Sequence, residues 1–135
     1  MKRLLKTGKN SSAVNFGLLI FRVATSLMMF THGYPKFQKV LNGNFQFGDP
    51  LGIGPEASLI LAAFGEFICS ILLILGLTTR YALVPLMITM IVALATVHLD
   101  DPFRGQEKAF LYLLAYLFLF ITGPGKYSMD QKLFN

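Results

Sequence analysis

Residues 57–77 read ASLILAAFGEFICSILLILGL, an apolar run interrupted by one charge, Glu66. A bilayer core of about 30 Å takes roughly 20 apolar residues as helix, so this run predicts a membrane span. The chain on either side repeats the pattern. Residues 14–33 carry only Arg22, residues 81–99 carry no charge, and residues 109–123 carry none but are short. Starting the last run near residue 106, with Glu107 and Lys108 at the interface, extends it to 106–123. Between the second and third runs stand only Thr78, Thr79 and Arg80 after Leu77, which predicts a tight antiparallel hairpin. Gly123-Pro124-Gly125 ends the fourth.

Composition agrees with this reading. Of 135 residues 54% are apolar and 14% charged, against about 25% charged in an ordinary soluble domain. So apolar a chain is neither disordered nor able to cover a soluble surface. The lone Cys69 excludes a disulfide scaffold. The net charge of +5 does not indicate nucleic acid, because the basic residues are scattered between apolar runs rather than clustered. They report topology instead. Lys2, Arg3, Lys6, Lys9, Arg80, Lys126 and Lys132 fall on the side of the two termini; Lys36, Lys39, Arg104 and Lys108 fall on the other. Lys and Arg are retained in the cytoplasm, so both termini are expected there. The first run ends Phe30-Thr31-His32-Gly33 without a small-x-small cleavage site, so it reads as an uncleaved helix rather than a signal peptide. The fold expected is all-α, an integral membrane four-helix bundle in one domain, 1–135, with spans 14–33, 57–77, 81–99 and 106–123 and an outer loop 34–56.

Ionisable residues inside a span are functional candidates by default. Arg22 and Glu66 each lie near the centre of their expected spans, on sequential antiparallel helices, and are expected to meet near the bilayer midplane. Arg22 shares a helical face with Thr25, Ser26, Met29 and Gly33, and small residues let helices approach closely. One reading is a structural ion pair. The other is a ligand-binding centre, with Arg22 on a carbonyl-bearing molecule such as a quinone and Glu66 passing a proton.

A second polar group gathers at the outer ends of the spans: His32, Lys36, His98, Asp101 and Glu107, with Tyr34, Asp100, Arg104 and Lys108 nearby. The spacing His98-x-Asp100-Asp101 matches no metal signature, and no metal is expected. Interfacial capping explains Asp100 and Lys108; His32 and His98 are kept as protonation or quinone-contact candidates. The loop has turn signals at Asn42-Gly43 and Asp49-Pro50. Its Phe37, Val40, Leu41, Phe45 and Phe47 predict that it lies on the membrane surface and covers the rim. Cys69 reads as core.

These residues resemble the DoxX family of small bacterial membrane proteins: Phe21-Arg22, His32-Gly33, Pro35-Lys36, Gly65-Glu66, Leu75-Gly76-Leu77-Thr78-Thr79-Arg80, His98, Asp101-Pro102-Phe103, Glu107 and Thr122-Gly123-Pro124-Gly125-Lys126-Tyr127-Ser128-Met129-Asp130. The likeness runs from about Phe16 to Asp130. It implies a four-span protein of the bacterial inner membrane, in a family that includes subunits of thiosulfate:quinone oxidoreductase and membrane partners of thiol-redox and superoxide-detoxifying proteins. The family-like polar positions are Arg22, His32, Lys36, Glu66, Arg80, His98 and Glu107. With no Cys pair and no Gly-rich nucleotide loop, the chain holds no electrons of its own. The function expected is therefore a membrane subunit of a quinone-linked redox system, with quinone as ligand, redox proteins as partners, and a homo-oligomer admitted. The alternatives are a non-catalytic scaffold and a small transporter.

Overall fold

The computed structural model describes residue 5 and residues 9–135; Lys2, Arg3 and Lys6, which carry much of the topology signal, lie outside the described residues. Among those described the chain is all-helical, without strands. Helix α1 spans Ser12–Leu41, α2 Pro55–Leu75, α3 Thr79–Val97, α4 Phe103–Thr122 and the short α5 Met129–Phe134. Three of them, α1, α2 and α3, are long and apolar enough to cross a membrane. Helix α4 has 20 residues but opens with Arg104, Glu107 and Lys108. α1 packs along α2, α2 against α3, and α3 along α4, which also touches α1.

The expected spans 57–77 and 81–99 fall on α2 and α3 to within two residues. The first does not end at residue 33. α1 runs on through Pro35 to Leu41, so the loop begins at Asn42 rather than at residue 34. Proline in a helix forfeits one hydrogen bond, and here the turns that follow are held by packing: Phe37 stacks on Phe67 of α2, centroids 4.2 Å apart and planes 9° from parallel. At 1.5 Å per residue α1 is about 45 Å long, well over the hydrocarbon thickness. Its buried residues, Asn15, Leu18, Arg22, Thr25, Ser26, Met29 and Gly33, form one stripe at helical spacing. This is the face that the sequence pattern picks out.

Two close approaches set how the helices register. A Cβ on Gly33 would lie inside the backbone of Glu66 and Phe67, so α1 and α2 touch main chain to main chain there. Gly65 on the same turn faces Thr89, where an added Cβ would sit 3.0 Å from the Thr89 hydroxyl. α2 thus spends consecutive residues on two neighbours. The chain around them is a π-helical turn, Phe64–Cys69, and α3 carries another at its end, Ala93–Val97. Such widened turns recur at functional sites.

The α2–α3 hairpin closes as the spacing predicts. Gly76 adopts φ 66°, its N–H donates to Leu73 O (3.0 Å), and the Leu77 N–H donates to Leu72 O (2.9 Å). This is a Schellman end, in which glycine takes the left-handed turn without steric cost.

Candidate functional site

The sequence pattern leads one to expect Arg22 opposite Glu66; the structure separates them. Gly33 is the residue of α1 level with Glu66, and Arg22 lies eleven residues earlier, about 16 Å along the axis at 1.5 Å per residue. The reason is the length of α1: because it continues to Leu41, its centre lies beyond Arg22, and Arg22 falls toward the hairpin end. A helical side chain also leans back toward the N-terminus, which carries the guanidinium farther from Glu66.

Arg22 is 1% exposed and belongs to a clasp of main chain. Its Nη1 donates to Pro124 O and its Nη2 to Tyr127 O at 2.9 Å. The carboxylate acting on it is that of Asp130, itself buried. Asp130 accepts the N–H groups of Thr78 (2.6 Å) and Thr79 (2.9 Å), and donates its own N–H to Gly76 O (2.9 Å). It therefore caps the N-terminus of α3 from the far end of the chain and holds Thr78 at φ 47°, a left-handed conformation that costs a β-branched residue energy. Arg80 completes the clasp by donating from Nε to Phe120 O (2.8 Å) at the end of α4. The Lys126 N–H donates to Asn15 Oδ1 (3.0 Å). The motif residues Arg22, Gly76–Arg80 and Gly123–Asp130 thus form one structural knot.

Glu66 pairs instead with Lys36. Lys36 stands three residues after Gly33, on the same face of α1, and its stem leans back toward the turn that touches Glu66. The pair is partly enclosed, with 26% of the Lys36 side chain and 7% of that of Glu66 exposed. Both line a cavity of about 610 Å³ at the end opposite the clasp. His32, His98, Lys108 and Tyr112 share its wall, and α2 and α3 supply apolar lining through Leu61, Phe64, Ile88 and Val92. The Tyr112 ring meets His32 edge-on, centroids 6.1 Å apart.

The expected polar rim divides. His32, Lys36 and His98 reach the cavity with Glu66. Asp101 does not; it bonds to His98, Oδ2 to Nδ1 at 2.7 Å, and so orients that ring. Glu107 is exposed on α4, outside the cavity wall. Among the described residues no cluster of His, Cys, Asp or Glu is arranged to hold a metal. Cys69 is buried in the core.

Phe47, Pro50, Leu51 and Ile53 of the loop form the roof. Asp49 pins this segment: Oδ1 accepts the Ile53 N–H (2.9 Å) and the Ser58 hydroxyl (3.0 Å), and Oδ2 accepts the Gly54 N–H (3.0 Å). Replacing Asp49 with Ala removes three anchors at the entry to α2. Amide exchange at Ile53 and Gly54 is expected to quicken roughly fivefold, the loss typical of a missing cap. Unchanged exchange would mean that the roof is held by its apolar contacts alone.

Lys108, which the sequence reads as interfacial, lines the cavity together with Tyr112, a residue that charge counting misses. They sit one turn apart on α4, and the signal is their i, i+4 spacing. Asp130 is the other residue missed. It stands in the sequence as the last residue of the Thr122–Asp130 motif, and nothing local announces its partners 51 and 52 residues away.

The chain is similar to known membrane proteins. The DoxX family model matches residues 17–99. A Bacillus subtilis (strain 168) protein named "Putative oxidoreductase CatD" is 34% identical over 93% of this chain and 92% of its own length. An uncharacterized protein of Haemophilus influenzae is 33% identical over 87% of this chain and 91% of its own. An uncharacterized membrane protein of Mycobacterium tuberculosis is 30% identical over 86% of this chain and 80% of its own. No solved structure matches.

Proposed function

The chain belongs to the DoxX family, and from that premise we propose that it is the membrane subunit of a quinone-linked redox system, holding a quinone-type ring in the Glu66–Lys36 cavity. The observation that carries the reading is the cavity itself: about 610 Å³, within the range of small-molecule sites, apolar in most of its wall, with a few converging polar groups. In this reading Lys36 and His32 donate hydrogen bonds to a ring carbonyl, Tyr112 flanks the ring, and Glu66 exchanges a proton with it. Asp101 holds the His98 ring at the cavity mouth. Electrons come from a partner redox protein. The likeness to the Bacillus subtilis protein named "Putative oxidoreductase CatD" supports the direction of this reading.

The same proposal has α4 as the fourth span, both termini and Arg80 in the cytoplasm, and the cavity opening outward in a bacterial inner membrane. The sequence excess of seven Lys and Arg on the side of the termini and Arg80 over four on the other side supports that orientation. Arg22 is assigned to architecture and not to the ligand.

Extraction of the purified protein with organic solvent is the test. A quinone at near one per chain is expected from the native protein. Glu66→Gln and Lys36→Met are each expected to lower occupancy on the order of tenfold, the worth of one charge-assisted hydrogen bond. Absence of quinone from the native protein would leave a scaffold as the function.

A further inference from the structure

The cavity has two flanks, and they differ. Toward water it is roofed by apolar loop residues that Asp49 ties to α2. Toward the bilayer its wall is the gap between α2 and α3. Leu61 and Ile88 line the cavity and are at the same time 56% and 54% exposed, so they stand at an opening. Ile88 lies nine residues into α3, about 14 Å from the hairpin end at helical rise, which is the middle of the span. What borders that opening is hydrocarbon. The helices touch at Gly65 and Thr89, level with Ile88, so the gap lies on the loop side of that contact, toward Leu61, beside the widened turns Phe64–Cys69 and Ala93–Val97.

We propose that the cavity is loaded laterally from the bilayer between Leu61 and Ile88, and that its ligand is an amphiphile whose polar ring sits at Glu66 and Lys36 while an alkyl or isoprenoid chain lies in the gap. The inference rests on the quinone reading and narrows it to long-chain quinones. Toward water the roof is tied down by Asp49, and the opposite end is filled by the clasp around Arg22; the gap between α2 and α3 is the apolar flank that Leu61 and Ile88 leave open.

The experiment uses the full chain in liposomes containing either a long-chain or a tailless quinone, with retention measured after repurification. The native protein is expected to retain the long-chain form on the order of tenfold better, through packing contacts of the chain in the gap that the tailless form lacks. Leu61→Trp with Ile88→Trp, narrowing the gap, is expected to abolish that preference, bringing retention of the long-chain form down to that of the tailless one. Long-chain retention at the native level in that double variant overturns the portal while the quinone site stands. Binding of neither quinone by the native protein overturns both. Equal retention of the two forms by the native protein overturns the placement of the chain. Should the bulky pair fail to fold, Ile88→Ala widens the gap, and exchange of the long-chain quinone is expected to quicken; unchanged exchange overturns the portal.

Discussion

Gly33→Ala is expected to destabilise the protein by about 3 kcal/mol or more, an overpacking cost at the upper end of the usual range. The added methyl would fall inside the main chain of Glu66 and Phe67, where no side chain can rotate away. Either α1 must move off α2 or the π-helical turn must rearrange. Both responses draw Lys36 away from Glu66, so ligand occupancy should fall together with stability. Gly17 on the same helix is the control, because a Cβ there meets nothing within 4 Å. Gly17→Ala should be neutral or slightly stabilising, since alanine is the better helix former. Thermal unfolding in detergent measures both. A Gly33→Ala midpoint equal to that of Gly17→Ala would show that the α1–α2 contact is looser than its geometry.

The same glycine marks how much of the site was legible beforehand. The helical character, the hairpin at Gly76 and the buried face of α1 follow from hydropathy and periodicity, because each is a local property of the chain. The partner of Glu66 is not local. Choosing it requires the register of α1 against α2, and register depends on where the helix ends. Reading a stop at residue 33 centres the span near Arg22 and pairs the two charges; the continuation through Pro35 shifts the centre outward and brings Lys36 down onto Glu66. The Phe37–Phe67 stack that stabilises those extra turns joins residues of different helices, invisible to a window along one of them. Gly33 was the available clue, since a small residue on a helix face marks the level of closest approach. With that level known, Lys36 follows at three residues' distance and Arg22 is excluded. His32, Lys36 and His98 were legible as a rim because all three flank span ends. Asp101 and Glu107 belong to the same stretch of sequence, but sequence proximity does not say which side chains turn toward a cavity.

Arg22→Leu is expected to cost about 3 to 5 kcal/mol, the usual consequence of removing one member of a buried charged network. Two main-chain carbonyls, Pro124 O and Tyr127 O, lose their donor, and Asp130 keeps its burial but loses its neighbouring cation. Hydrophobic replacement does not compensate, because the groups left behind are acceptors. Arg22→Lys should rescue little: an ammonium on a flexible stem lacks the planar fork that spans two carbonyls. The clasp joins the hairpin, α1 and the tail, so its failure should also show as tail release. Trypsin is then expected to cut after Lys126 at concentrations that leave the native protein whole. Asp130→Asn should expose the same bond, since the charge that Thr78 and Thr79 N–H groups share at 2.6 and 2.9 Å is lost while the side chain's size is kept. The two lesions meet in one network, so the double variant should be less destabilised than the sum of the singles. Strict additivity, with the tail still protected in each single variant, would mean that Arg22 and Asp130 serve separate structures; Arg22 would then again be a candidate for the ligand.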